Sequence, residues 1–480
     1  MKNYIIIVLL LLSTVSFSQE KDTTAVTYKK RVLEGVEVDF LLSYYQQKGI
    51  HSSVSGGMGS EKLTDLASNF TVSIPLNDDD VLTIDTGLSA YTSASSSNIN
   101  PFNATGASGR GGDDDDDDRR VAATGPYGTP WQASSGASAQ DVLGSAVINY
   151  SHSSDNRNFI WSSDVAFSNE YDYTSLGFGG GISQLFNNKN TELSLKGSVY
   201  LDQWRPIYAT ELHEYARYGP NFQNNGFFSG VTILNQNGLA STGYNPYDFK
   251  PWKATNRNSY AFSFAFSQVA TKRMQFSLFL DVLQQEGMLS TPYHRIYFAD
   301  KANYYIGQAQ YIPVYETTQN SGVYHLADDI ERLPSTRFKT PFGSRFNYYV
   351  NERITIRTYY RYYWDDWGIT SHTASIELPV KLSDQLTLAP TYRYYTQQSS
   401  KYFAPYETHL SNETYYTSDY DLSTFTTSQY GFGLQYTDIF TSAKIFNFGL
   451  KNIDFRYNHY DRNDGLQANI VTFGLKFVEQ

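Results

Sequence analysis

Between Ile354 and Trp364 the chain alternates: Ile354, Ile356, Thr358, Tyr360, Tyr362 and Trp364 share one side of an extended strand, and Thr355, Arg357, Tyr359, Arg361 and Tyr363 share the other. One face is apolar and the other polar. The apolar face also changes along its length from aliphatic to aromatic, as a wall does where it leaves hydrocarbon for the headgroup layer.

The same alternation recurs in sixteen segments, most of them near the ~9 to 11 residues that a tilted membrane strand requires. The first eight lie near Val36–Tyr44, Phe70–Leu76, Leu82–Tyr91, Val142–Tyr150, Trp161–Tyr173, Phe178–Phe186, Leu193–Trp204 and Tyr260–Val269. The rest lie near Met274–Leu283, Phe338–Val350, Ile354–Trp364, Ala374–Val380, Leu386–Tyr395, Tyr430–Thr437, Phe446–Tyr460 and Leu466–Phe477. Joins after even strands are short and turn-like, as at 77–80, 187–190 and 351–353, whereas every long loop follows an odd strand, near 46–68, 92–140, 205–259, 284–337 and 396–428. Outer-membrane barrels sort their connections in this way, with tight periplasmic turns and larger outside loops. The expected fold is therefore all-β: one antiparallel transmembrane β-barrel of about sixteen strands over 35–480, with both chain ends in the periplasm. A secreted solenoid would repeat its sequence at a fixed period, which is not visible, and a sandwich would not sort its turns by parity.

Composition adds three constraints. Residues 1–18 read as a signal peptide, with Lys2 before an apolar run and small residues before Gln19, and 19–34 as a periplasmic tail. The chain has no cysteine, which removes disulfides, a lipoprotein anchor and cysteine-ligated clusters. A net charge of −11 argues against nucleic acid as a partner.

Inward faces divide the charge unevenly. Strands one to nine bring mainly acids, among them Glu37, Asp39, Asp85, Asp164 and Asp172; strands ten to sixteen bring mainly bases, among them Arg345, Arg357, Arg361, Arg393 and Arg456. Two readings follow: opposed arcs set a transverse field that selects polar solutes, or the residues pair and hold a plugging loop.

Loop signals are weaker. Asp113, Asp114, Asp115, Asp116, Asp117 and Asp118 offer oxygens to a hard cation, but six successive carboxylates repel one another and suit a solvated loop. Asp365, Asp366, Ser371 and His372 gather near one hairpin tip, where turn chemistry explains them more simply than a rim hydrolase does. The eight histidines show no ligand spacing, so a metal site would require tertiary convergence. Gly179–Gly181 marks a bent strand or a place where a side chain needs room. Trp204, Trp252, Trp364 and Trp367 suit an aromatic girdle, the strand-borne ones best.

The passages YKKRVLEGVEVDFLLSYYQQKGIHSSVSGG, IPLNDDDVLTIDTGLSAYTSASSSN, INYSHSSDNRN, NEYDYTSLGFGGG, LQQEGMLSTPYHRIYFAD, LADDIERLPSTRF, YYRYYWDDWGITSHTASIELPVKLSD and YFAPYETHLS carry a resemblance. They resemble the Bacteroidota members of the domain of unknown function 3570 family. That resemblance implies an exported outer-membrane β-barrel and a link to extracytosolic redox systems, with no catalytic residues to carry over. The expected function is a passive channel or binding barrel for small polar solutes, without cofactor and not an enzyme, in contact with outer-membrane lipid and lipopolysaccharide. The second reading is a non-conducting scaffold that anchors a surface or periplasmic lipoprotein, and the third a hydrolase.

Overall fold

The computed structural model describes residues 31–93, 139–170, 172–246, 249–253, 255–314 and 323–480; the leader and the Asp113–Asp118 tract lie outside them. Its first eight wall strands are β1 Glu37–Lys48, β2 Leu63–Pro75, β3 Asp80–Ser93, β4 Ala139–Ser153, β5 Phe159–Glu170, β6 Tyr173–Phe186, β7 Thr191–Trp204 and β8 Asn256–Thr271. They continue as β9 Met274–Gly287, β10 Thr336–Asn351, β11 Ile354–Asp365, β12 Thr370–Glu377, β13 Leu386–Gln397, β14 Phe425–Thr437, β15 Phe448–Arg462 and β16 Gln467–Glu479. Each pairs antiparallel with the next, and β16 returns to β1 in the register Asp39↔Lys476. The wall is thus a closed sixteen-strand antiparallel barrel. Closure leaves no edge strand with unpaired amides. β12 resumes as Val380–Lys381 after a break at Pro379, which has no N–H to give the ladder.

Strand order alone explains which end is which. Joins at 76–79, 187–190, 272–273, 352–353 and 382–385 lie at one end, and the long loops lie at the other. The short joins are built by their own side chains. Asn77 Oδ1 accepts from the Asp79 and Asp80 amides at 2.8 and 3.0 Å, and Asn351 Oδ1 from the Arg353 and Ile354 amides at 2.9 and 3.0 Å. Asn187, Asn188 and Lys189 all take positive φ, a conformation Asn tolerates better than most residues. Val36 N–H donates to the Glu479 carboxylate, so the described chain starts and finishes together at the short-join end.

Outward positions hold the apolar stripe: Leu42, Phe70, Leu88, Ile148, Val165, Phe178, Phe264, Phe342 and Tyr360 are all exposed. Inward positions are polar. At Gly179 a Cβ would meet the Asp164 carboxylate 2.4 Å away, so the glycine run makes room for an inward side chain, as its sequence suggests. Most strands are longer than the hydrophobic alternation predicts. Toward the long-loop end the ladder continues after the outward stripe has ended.

Beyond the wall the loops form a cap with its own core. Ala209, Leu212, Phe249, Tyr297, Ala327 and Ile330 cluster there on and around the one α-helix among the described residues, α1, Thr210–Tyr218. No helix among the described residues is long and apolar enough to cross a membrane. Three loops meet at one buried ion pair: Arg295 Nε and Nη2 donate to the two Glu211 oxygens at 2.8 and 3.2 Å, and Arg295 Nη1 donates to Val54 O at 3.1 Å. Both partners are 0% exposed. Removing one partner strands the other charge in a dry interior, a loss of about 3–5 kcal/mol. We therefore expect Glu211→Ala to open the cap to protease while the barrel keeps its compact, heat-sensitive migration on gels. Unchanged cleavage would contradict the bridging role of this pair.

Candidate functional site

The inner wall of β10–β15 holds every predicted arginine, and the ladder register stacks them in rows. One row runs Arg345, Tyr359, Ser375, Arg393, Gln429, Tyr460. The row toward the cap carries Arg361 and Arg462, and the row toward the short joins carries Arg357 and Glu377. Alternation in the sequence produces this stacking directly, since inward residues recur every second position on each strand.

The rows differ in how their charge is met. Near the short joins, Arg357 Nη1 donates to Glu377 at 2.8 Å, and Arg456 reaches Glu377 at 3.3 Å and Asp454 at 3.0 Å. These groups border a cavity of about 270 Å³, which Arg353 and Lys381 also line. A larger hollow of about 530 Å³ lies on the outward side among Phe40, Phe70, Leu88 and Phe167, where Ser68 and Gly144 leave space. Its apolar rim gives a solute no charged group to bind, so the inner cavity is the better candidate.

Higher up the wall the arginines sit among rings. Arg345 lies 5.6 and 5.7 Å from the Phe279 and Tyr359 ring centres, and Arg361 lies 5.7 Å from Tyr363. Among the described residues neither forms a salt bridge, and Arg361 Nε is buried without a hydrogen-bond partner. A buried guanidinium donor left unmatched by protein is costly unless something else accepts from it.

The acids are placed otherwise. Glu37 and Asp39 bind Lys476 at 2.6 and 3.4 Å, and Lys196 lies 3.9 Å from Asp164. Asp85 accepts from Thr71 and Asn69 at 2.6 and 2.8 Å. Asp172 is buried in the join between β5 and β6, outside any strand face. Pairs therefore form between strands one to three places apart along the wall, as from Glu37 to Lys476 and from Glu377 to Arg456, rather than between opposed arcs.

The cap reaches down to this wall. Inward-facing Gln397 donates to the carbonyls of Asp421 and Ser423, both at 2.8 Å, and Arg462 binds the Asp421 carboxylate. A stretch of the 398–424 loop is thereby held inside the mouth. Sequence reasoning missed its seat, because nothing in the loop marks which wall it touches.

The aromatic girdle needs correction. Trp204 and Trp367 are buried, not part of a girdle: Trp204 packs with Tyr173 and Met288, and Trp367 with Leu289 and Leu333, where the cap covers the strand ends. Trp364 does face outward, and Trp252 packs against the cap core. Ser371 is buried whereas His372, on the opposite face, bonds Tyr360 Oη at 2.8 Å on the outside of the wall. Asp365 caps its turn, accepting from the Ile369 amide at 2.9 Å and from Arg337.

Residues 8–474 match the model of the family described as Protein of unknown function (DUF3570), so the chain belongs to that family. No curated protein matches it in sequence. Solved structures with a similar course include a bacterial polysaccharide outer membrane secretin, 9% identical, covering 94% of this chain and 100% of that one, TM-score 0.41. Another is a BenF-like porin from Pseudomonas fluorescens Pf-5, 8% identical, covering 93% and 99%, TM-score 0.34. A third is OpdK of Pseudomonas aeruginosa with vanillate, 9% identical, covering 93% and 99%, TM-score 0.34.

The cap carries groups whose titration should show in its stability. His325 is stacked between Tyr297 and Tyr305, 4.2 and 4.7 Å away, and burial pulls its pKa down to about 3. Burial pushes Asp328 up to about 7. Unfolding lets His325 bind a proton below its ordinary value of 6.5, so its effect weakens the cap as pH falls from there toward 3. Asp328 acts in the opposite sense: its folded carboxyl keeps a proton that the unfolded one releases, so acidification from about 7 toward 3.8 strengthens the cap. His325→Gln should leave only the second effect, making the cap more protease-resistant than wild type at pH 5 relative to pH 7.5. The His325 part is at most about 1.4 kcal/mol per pH unit. Parallel pH profiles for the two proteins would contradict it.

Proposed function

We propose that this DUF3570 member is an outer-membrane barrel, with both chain ends on the periplasmic side, that passes small polar solutes down their gradient and favours anions. The observation that carries the reading is the buried, unmatched Arg361 Nε, one row from Arg345 and Arg393 on a tyrosine-rich inner wall. Arginine presents a planar fork of donors that suits carboxylates, and tyrosines offer rings and hydroxyls to the rest of a small solute. The apolar exterior and the closed ladder fit a hydrocarbon surround.

A second reading, a closed barrel that anchors a lipoprotein, is favoured by the loop seated at the mouth on Gln397 and Arg462. Planar bilayers separate the two. The channel reading expects discrete conductance steps with anion preference, reduced in the triple variant Arg345→Ala, Arg361→Ala, Arg393→Ala. Each lost charge weakens attraction at about 4 Å by about 1 kcal/mol in water, or about fivefold. Glu377→Gln should raise the preference by releasing Arg357 and Arg456. Silent bilayers would remove the channel and leave the anchor.

A further inference from the structure

Among the described residues one group of histidine and carboxylate side chains converges as metal ligands do: His294, Glu331 and Asp419 each bring a ligand atom to within 4.8 Å of the others. Two loops supply them. The ribbon pairing Arg295 with Ile330 and Ile296 with Asp329 sets His294 beside Glu331, and the Glu331 amide donates to His294 O at 2.9 Å. Asp419 arrives from the 398–424 loop, just before the stretch held by Gln397 and Arg462.

The ligand atoms are oriented from behind. Glu331 Oε1 accepts from the Thr291 amide at 2.7 Å and Oε2 from Thr417 Oγ1 at 2.5 Å. The Thr417 oxygen in turn accepts from the Asp419 amide at 3.1 Å, so one hydroxyl ties both carboxylate residues together. Asp419 Oδ1 accepts from the Asp421 amide at 3.0 Å. Such outer contacts are what fix carboxylates around a bound ion. His294 Nδ1 stands 3.5 Å from Glu331 Oε2. Ligands about 2.0–2.2 Å from a tetrahedral zinc lie roughly 3.3–3.6 Å apart, so these two atoms already have the spacing of neighbours in one coordination shell.

Charge points the same way. His294 and Glu331 are both buried, and the trio holds two carboxylates against one imidazole. A further carboxylate two residues on, Asp421, is taken up by Arg462. A divalent cation with neutral His294 and two carboxylates makes the site electrically neutral, which a buried cluster favours.

We propose that His294, Glu331 and Asp419 bind a first-row divalent cation of the zinc class and that this ion staples the 288–335 loop to the 398–424 loop above the bore. One nitrogen and two oxygen donors in a small site fit zinc, or manganese more weakly, better than calcium, which takes six to eight oxygens. The staple holds whether or not the barrel conducts.

The test is titration of the full-length, detergent-solubilised protein, freed of metal by chelation, with zinc chloride, and with manganese and calcium chloride in parallel. Wild type should bind one equivalent of zinc that His294→Ala and Asp419→Asn lose or weaken by about 100-fold or more. Zinc should also protect the cap from protease in wild type but not in the variants. His213→Ala, at an exposed histidine on α1, controls for adventitious binding and should behave as wild type. Heat-sensitive gel migration verifies folding, and Asp419→Asn, the same size as the native residue, serves if His294→Ala does not fold. Equal zinc binding by wild type and Asp419→Asn would overturn the proposal, as would tighter binding of calcium than zinc.

Discussion

A peptide group in hydrocarbon has no water to bond, and this constraint orders the rest of the molecule. Sixteen strands close on themselves through the β16–β1 register, so the wall has no free edge. Once the ladder is satisfied, each strand sorts its side chains by parity, apolar outward and polar inward. The same alternation that makes the exterior greasy must line the interior with Arg, Tyr, Ser and Asp. The candidate site is a consequence of the wall, not an addition to it.

Inside, adjacency decides the electrostatics. Glu377 lies between Arg357 on the next strand and Arg456 three strands on, and Glu37 lies beside Lys476, so opposite charges close together on the wall cancel at hydrogen-bond distance. Charges facing each other over the width of the bore would be weakened by distance and by any water between them, whereas contacts this short are screened much less. Nearer the cap, Arg345 and Arg361 form no salt bridge among the described residues and sit among aromatic rings. Tyrosine suits that place physically: the Tyr363 ring faces Arg361 while its hydroxyl donates to Asp365 at 2.8 Å.

Much of the wall was legible in the sequence because a period of two needs only neighbours along the chain. Strand number, turn parity and the inward placement of Arg345, Arg357, Arg361, Arg393 and Arg456 all follow from it. Strand lengths were underestimated, since near the cap the outward positions stop being apolar while the backbone ladder goes on. Trp204 and Trp367 misled for the same reason: their rings are covered by loop residues such as Met288 and Leu289. The trio at 294, 331 and 419 was not legible, because its spacing in sequence is arbitrary and only the packing of two loops brings it together. Nor was the seat of Asp421 on Arg462, an ion pair between residues 41 positions apart.

Because the chain has no native cysteine, single cysteines can be placed one at a time along Ile354–Asp365 and spin-labelled in lipid bilayers. Collision with dissolved oxygen, which concentrates in hydrocarbon, should peak at 354, 356, 358, 360 and 362 and fall at the positions between, which should instead meet a water-soluble nickel complex. Loss of that two-residue rhythm, with the even positions shielded from oxygen, would mean that protein rather than lipid covers the outer face.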